Sequence, residues 1–535
     1  MVKKPISFVA VVVGLVVGAG AVYGGSLGGF IKSPSGEPVA GALVRIQNRE
    51  QAFTTTVVSQ DLGRYFAGGL PSGKYIVHSV GDGQESAAAA VQIDGNQNVA
   101  LNLSLTAAID YKKNVPMSDF ATLMPEADAK KIILSRCTEC HHANELGEII
   151  YARKTHDGWR RALEQARDHS GNNLNGFFFS AYVPQQQKDA VLDYLAQNFG
   201  PDALPFDPGK LPKTLVKGPA RNVVITEVNL WPDSRPHDCA VDPNGVGWVA
   251  ERGHGILGSY DPRTRTYNRI SLPPTTRPGG GFAVDPQGRV WISDDANARF
   301  LEYDPKTATY TSYAYPESAT ARPGINVIRF HPDGTVWGTA LPSTRVLRLH
   351  PATKEVVQYY LPTATAEKRN VKPYGMAIDG GNAVWIAEEL GGKVARVDPK
   401  TGEITEYDVL TKLPISSLRR MATDADGNIW YPDYGGGTIG MIDYRTRKLV
   451  EYPTPSKDSG PYSIDVDRKN GFVWVAETTA DQLARFEPKT KTWVEYPVPT
   501  RNSSVRRLEV DPTRPNRVWF CGNYTDTLGY LDVAE

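Results

Sequence analysis

Seven tryptophans, Trp248, Trp291, Trp337, Trp385, Trp430, Trp474 and Trp519, follow one another at intervals of 43, 46, 48, 45, 44 and 45 residues. A period of this length means one supersecondary unit repeated, each copy burying its apolar face against the next. The units open on a common string, seen as AVDPNGVGW, AVDPQGRVW, RFHPDGTVW and AIDGGNAVW. Later in each comes a second turn: YDPRT, YDPKT, LHPAT, VDPKT, IDYRT and FEPKT. Two turns make two hairpins, hence four strands per unit, which is the make-up of a β-propeller blade. The seventh unit stops one strand short, at Leu531-Asp532. The run 224–230, whose ITEV matches ITEY at 404–407, is expected to supply the missing strand and close the ring. Closure removes free sheet edges. The expectation is a seven-bladed propeller over 221–535, with the tryptophans as blade-to-blade packing.

The chain before residue 221 has other habits. At its start, Lys3 and Lys4 precede an apolar stretch, 6–21, that ends in Ala19-Gly20-Ala21. This pattern predicts a secretory signal over 1–21, cleaved on export to the periplasm. The stretch is shorter than the roughly 20 residues needed to cross a bilayer, and no later segment is apolar enough, so no stable membrane span is expected after cleavage. Lys+Arg and Asp+Glu are both 59, a balance that recommends no nucleic acid as partner. Four cysteines are too few for a disulfide-dense scaffold.

Residues 25–106 show short apolar or alternating runs between the turn signals Ser35-Gly36, Pro71-Ser72-Gly73 and Asp94-Gly95, the pattern of a small antiparallel β-sandwich. GFIKSPSGEPVAGALVRI followed by SQDLGRYFAGGLPSGKYIVHS resembles the carboxypeptidase regulatory-like domain family. That resemblance implies a structural or adhesive module without chemistry of its own.

Residues 119–202 read as a small all-α domain, with helices expected over 126–136, 157–167 and 185–198. At the end of the first stands Cys137-Thr138-Glu139-Cys140-His141. C-x-x-C-H is the attachment signal of haem c: two thiols one turn apart form thioethers with the porphyrin, and the next imidazole reaches the iron. A zinc site would want a second Cys or His pair nearby, whereas only His156 and His169 follow. With THDGWRRAL and DYLAQNFGP, the segment resembles the small cytochrome c domains of quinohaemoproteins. Those domains usually carry a methionine after the tryptophan. Here none follows before Met376, so the sixth iron ligand falls to His169 or His156, with His169 preferred, or the position is vacant. Residues 203–220, rich in proline, read as a stiff linker.

The propeller repeat resembles the streptogramin lyase (virginiamycin B lyase-like) family, through P-x-G-x-A-V-D-P-x-G-x-V-W-x-x-E and tails such as ARVDPKTGEITEY. Strand register places two rings of residues at the end away from the D-P-x-G turn. The first is His237, Gly280, Asn326, Tyr374, Arg419, Tyr462 and Arg506; the second is Glu251, Asp294, Ala340, Glu388, Asp433, Glu477 and Gly522. Both are expected to gather at the mouth of the axial channel. There Glu251, Asp294, Glu388 and Glu477 could bind Mg²⁺ or Ca²⁺, His237 could act as general base, and Arg419 and Arg506 could hold a substrate carboxylate. His254 stands three residues after Glu251. Equally, acids in a wet channel are simply solvated.

The family resemblance implies catalytic roles for His237, Glu251, His254, Glu388 and Glu477. The lyase family, however, uses more than one axial histidine, which this ring lacks. Cys239 and Cys521 fall in neighbouring blades once the ring closes, where they either bridge or remain buried thiols. Three functions follow as expectations: a periplasmic haem c oxidoreductase or electron-transfer protein with a redox partner and a small-molecule substrate; a metal-dependent lyase; or a non-enzymatic binding protein.

Overall fold

A computed structural model describes residues 24–109, 115–138, 145–165, 183–205, 207–213, 215–317 and 324–534. The segment 1–21, expected to be a secretory signal, lies outside these residues. The chain is mainly β, with a sandwich-like N-terminal domain, a helical module and a C-terminal propeller.

The repeat folds through one local device. Asp242 Oδ1 accepts the backbone N–H groups of Asn244 and Val246 at 2.8 and 3.0 Å, and its Oδ2 accepts the Trp248 indole N–H at 3.3 Å. Asp285, Asp379 and Asp424 hold Trp291, Trp385 and Trp430 in the same way, at 3.2, 2.8 and 3.0 Å. The carboxylate thus ties the first hairpin turn to the tryptophan that packs beside it. The turn needs a left-handed residue, supplied by Gly245 at φ 79° and Gly288 at φ 83°. Trp337 packs in one cluster with Val384 and Ile386 of the following blade, and Trp474 with Val518 and Phe520.

Six four-stranded sheets stand as separate blades, each in simple up-and-down order. The first runs Cys239–Val241, Gly247–Glu251, Ile256–Asp261, Thr266–Ser271. The number is six, not the seven expected. The last repeat's strands, Val505–Val510, Arg517–Gly522 and Thr527–Val533, do pair in turn with Val223–Asn229, but this group is one end of a thirteen-stranded sheet. Beyond Val223–Asn229 the sheet passes into the N-terminal domain, where Phe53–Val58 pairs antiparallel with it. An outer strand left bare would be a template for foreign strands; here the sandwich covers it.

The sandwich is not purely antiparallel. Its first strand, Gly25–Lys32, pairs antiparallel with Arg64–Leu70 but parallel with Asn98–Ala100 and Leu103–Ala108. Its core includes Leu27, Ile31, Val44, Ile46, Tyr75 and Val77. Part of the expected linker is packed against it: Leu215 joins this core, and Val216 N–H donates to Gly41 O at 2.9 Å. It is therefore not a free spacer along its whole length.

The helical module has helices Met117–Ala121, Asp128–Ile132, Glu145–Tyr151, His156–Gln165 and Gln185–Phe199. Asp128–Ile132 continues as a π-helical turn, Ile133–Cys137. Phe120, Ile133, Leu146, Trp159, Val191 and Leu195 form the module's own core. Among the described residues, no helix is long and apolar enough to cross a membrane.

Candidate functional site

The helical module sits on the end of the propeller away from the D-P-x-G turns. Ser118 N–H donates to Thr479 O at 2.9 Å. Lys130, almost fully buried, reaches Asp458 at 3.1 Å, and Lys457 reaches Glu126 at 2.7 Å. Arg136 donates to the carbonyls of Pro414 and Ser416 at 2.7 Å each. Thr138, inside the C-x-x-C-H string, shares a 2.9 Å hydrogen bond with the Tyr434 hydroxyl. A side chain at Gly435 would meet Ser135 Cβ at 2.8 Å, so this close approach requires glycine.

Below Tyr434 lies the axis. Tyr434, Tyr462 and Tyr374 form a chain of edge-on rings with centroids 6.0 Å apart at each step. The Arg419 guanidinium lies 5.0 to 5.2 Å from all three rings, within cation–π range, and pairs with Glu389 at 2.8 Å. Arg506 lies 5.8 Å from the Tyr462 ring. The first strands of four repeats shift register between Pro278 and Phe282, Pro373 and Met376, Pro461 and Ser463, and Val505 and Leu508. Gly280, Tyr374, Tyr462 and Arg506 fall in these irregularities, which re-aim side chains as β-bulges do.

The hub of the mouth is a residue that sequence register did not select. Arg420 donates to Asp238 at 2.6 Å from the opposite side of the ring and to Arg506 O at 3.1 Å, while its own N–H donates to Tyr462 O. Asp238 also meets His237 Nδ1 at 2.7 Å. Burial pushes the Asp238 carboxyl up, but Arg420 and His237 outweigh it and hold it below the usual range. Burial takes the His237 imidazole down to about 3 against the pull of Asp238, so it is neutral at physiological pH. The signal that could have found this pair is the charge itself: of the matching positions, Gly281, Val327, Gly375 and Ser463 are uncharged, and Arg507 is the third charged one.

The second ring does not join the first. Glu251 accepts from Arg269 at 2.9 and 3.0 Å, and from Ser234 and Tyr267 at 2.8 Å each. Burial raises its carboxyl, yet these bonds hold it lower than usual. Asp294 is held by Arg299 and Asn297 at 2.8 Å. Glu388 meets Glu406, and Glu477 meets Glu495; in both, burial first and the neighbouring acid second push the carboxyl up, to about 9 for Glu388. Asp433 accepts the N–H groups of Ser417 and Gly436. These partners lie within the acid's own blade. The first strand lines the axis, whereas the second stands one strand spacing, roughly 4.8 Å, farther out. His254 is exposed and bonds Pro232 O at 2.8 Å. Among the described residues, no three His, Cys, Asp or Glu side chains are grouped to hold a metal ion.

Of the residues expected to attach haem, Cys137 closes the π-helical turn, packed against the module's core, and burial pushes its thiol up to about 12. Cys140, His141 and His169 lie outside the described residues. Cys239 and Cys521 are both buried, free thiols; Cys239 is held protonated by burial and by its hydrogen-bonded neighbour Cys521.

Residues 364–535 match the Virginiamycin B lyase family. Residues 26–106 match the carboxypeptidase regulatory-like domain. Among solved structures, virginiamycin B lyase from Staphylococcus aureus superposes with a TM-score of 0.51 at 20% identity, over 58% of this chain and 100% of its own. A catalytically inactive variant of that enzyme with quinupristin gives the same values. A streptogramin B lyase structure gives 0.53 at 23% identity, over 59% of this chain and 100% of its own. At these identities the likeness is one of fold. A comparison with the curated proteins found no match.

Proposed function

We propose that this is an exported c-type cytochrome in which a haem-bearing helical module is seated on the mouth of a streptogramin lyase-like propeller, acting as an oxidoreductase or electron-transfer protein with a periplasmic redox partner. The observation that carries this reading is the docking of the C-x-x-C-H segment. Thr138 bonds Tyr434 at the mouth, and Arg136, one residue before the first cysteine, is anchored in propeller carbonyls. The donor set fits the group: two thiols and an imidazole in C-x-x-C-H spacing, with Cys137 against an apolar core. Cys137 and Cys140 would hold the porphyrin, His141 the iron, and His169 the opposite face. Haem would supply one-electron chemistry there. The chain's own part is positional. Arg136, Lys130 and Thr138 fix the module, and Arg419 and Arg420, neutralised by Glu389 and Asp238, form with the tyrosines a polar, phenol-lined floor beside Arg506.

The test is maturation of the full chain in a haem-competent host. The reading expects a reducible Soret band that is lost in Cys137→Ala and that responds to substrate. A protein without haem would overturn it.

A second reading, a metal-dependent lyase, draws on His237, a neutral imidazole hydrogen-bonded to Asp238 at the axis, which burial holds at about 3, below the range in which a general base is efficient. It expects Mg²⁺- or Ca²⁺-dependent opening of a lactone that survives Cys137→Ala and is lost in His237→Ala. Glu251, tied to Arg269, is a support of its blade in either case.

A further inference from the structure

The axis has a second end. On the side of the D-P-x-G turns the propeller opens into a cavity of ≈ 670 Å³, a size typical of small-molecule sites, roughly 300–1,000 Å³. The repeat explains the space. Ala283, Ala377 and Ala422 occupy equivalent positions on three first strands, and all three line the cavity. Arg329, Asp465 and Glu509 replace the alanine in three other repeats and line it as well.

These charges are held still by the backbone. Arg329 donates to the carbonyls of Ile328, Met376 and Met421 at 3.0, 3.1 and 3.3 Å. A guanidinium has five N–H donors, so two remain for a ligand. Asp465 accepts the N–H groups of Val466 and Val510 at 2.9 Å each. Each oxygen keeps a free lone pair. Glu509, by contrast, is taken up by Arg507 and by Val241 N–H. Among the described residues, neither Arg329 nor Asp465 is in an ion pair. Both groups are withdrawn from bulk water, and the opposite charges they feel, Glu509 and Asp465 for Arg329 and Arg507 for Asp465, act without ion-pair contact, so a ligand bearing both signs would give each a direct partner. A singly charged ligand would satisfy one and leave the other.

We propose that the turn-side cavity binds a small zwitterion, an α-amino acid or dipeptide, with its carboxylate on Arg329 and its ammonium on Asp465. The site is independent of the haem-bearing mouth at the other end of the axis.

The test is calorimetric titration of the full chain with the twenty common α-amino acids and with glycyl and alanyl dipeptides. At least one is expected to bind, and N-acetylation or amidation of that ligand should weaken binding at least tenfold. Arg329→Gln and Asp465→Asn should each weaken it at least tenfold; each variant also gives up backbone hydrogen bonds and is expected to melt lower, so binding is measured below its own transition. If either variant fails to fold, Ala422→Leu, which fills the wall without touching a charge, is expected to abolish binding. No binding across the panel overturns the proposal. So does binding that survives blocking of both ligand termini, or that persists in the two charge variants or in Ala422→Leu.

Discussion

Glu388 is fully buried, and its carboxyl is pushed up to about 9, first by burial and then by Glu406. Glu406 itself accepts the Thr363 N–H at 2.8 Å, which fixes it beside its neighbour. The folded protein therefore holds a proton that the unfolded chain releases near the ordinary glutamate value. Stability from this site is greatest below about 4.5 and falls as pH rises to about 9, by up to about 1.4 kcal/mol per pH unit. Melting curves from pH 5 to 9 should show a flatter pH dependence for Glu388→Gln than for the parent; identical profiles would contradict this. Arg420 and Asp238 form the second residue-scale case, both nearly inaccessible and 2.6 Å apart. Removing one partner leaves an uncompensated buried charge, so Arg420→Ala should cost about 3–5 kcal/mol in denaturant unfolding. The double variant Asp238→Ala/Arg420→Ala should cost less than the sum of the two single variants, and strict additivity would count against the pair. Sequence register did select His237, Tyr374, Arg419, Tyr462 and Arg506 for the mouth. It passed over Arg420 and Asp238, the neighbours of the selected Arg419 and His237, because simple alternation sends adjacent residues to opposite faces, whereas here both members of each pair reach the axis. It also sent the second-ring acids to the axis, since spacing along a strand does not say which neighbouring strand will answer a carboxylate.

At the level of elements, helix Gln185–Phe199 and the four-stranded repeats were legible from period and turn chemistry alone. The docking of the helical module was not, because its contacts are single polar bonds from residues that carry no pattern. Arg136 is one: a long cation at the end of a short helix, 2% exposed, reaching two carbonyls more than 270 positions away. Arg136→Ala strands both carbonyls, at about 1–3 kcal/mol each. Limited proteolysis should then cut the joint near residues 203–213 faster than in the parent, while the propeller fragment survives. Unchanged cleavage would mean that Arg136 does not fasten the module.

For the whole molecule, the unforeseen feature is continuity. The strand Val223–Asn229 was expected to complete the last repeat, and it does pair with Thr527–Val533. Its other edge is taken by Phe53–Val58, so propeller and sandwich share one sheet. Nothing in either segment's local pattern advertises this, because backbone pairing between distant strands leaves little trace in side-chain alternation. A chain beginning at residue 115 would bare that edge. It should self-associate with rising concentration in sedimentation or light scattering, whereas the full chain should not, and a truncated chain that stays monomeric would argue that the sandwich is not an edge cover.

The redox reading of the helical module turns on whether Cys137 and Cys140 carry haem. The decisive measurement is the intact mass of the protein exported by a haem-competent host, taken under denaturing conditions. The account predicts the mature polypeptide plus one covalently bound haem, reverting to the bare polypeptide when both cysteines are replaced by alanine. The bare mass from the parent protein would contradict it.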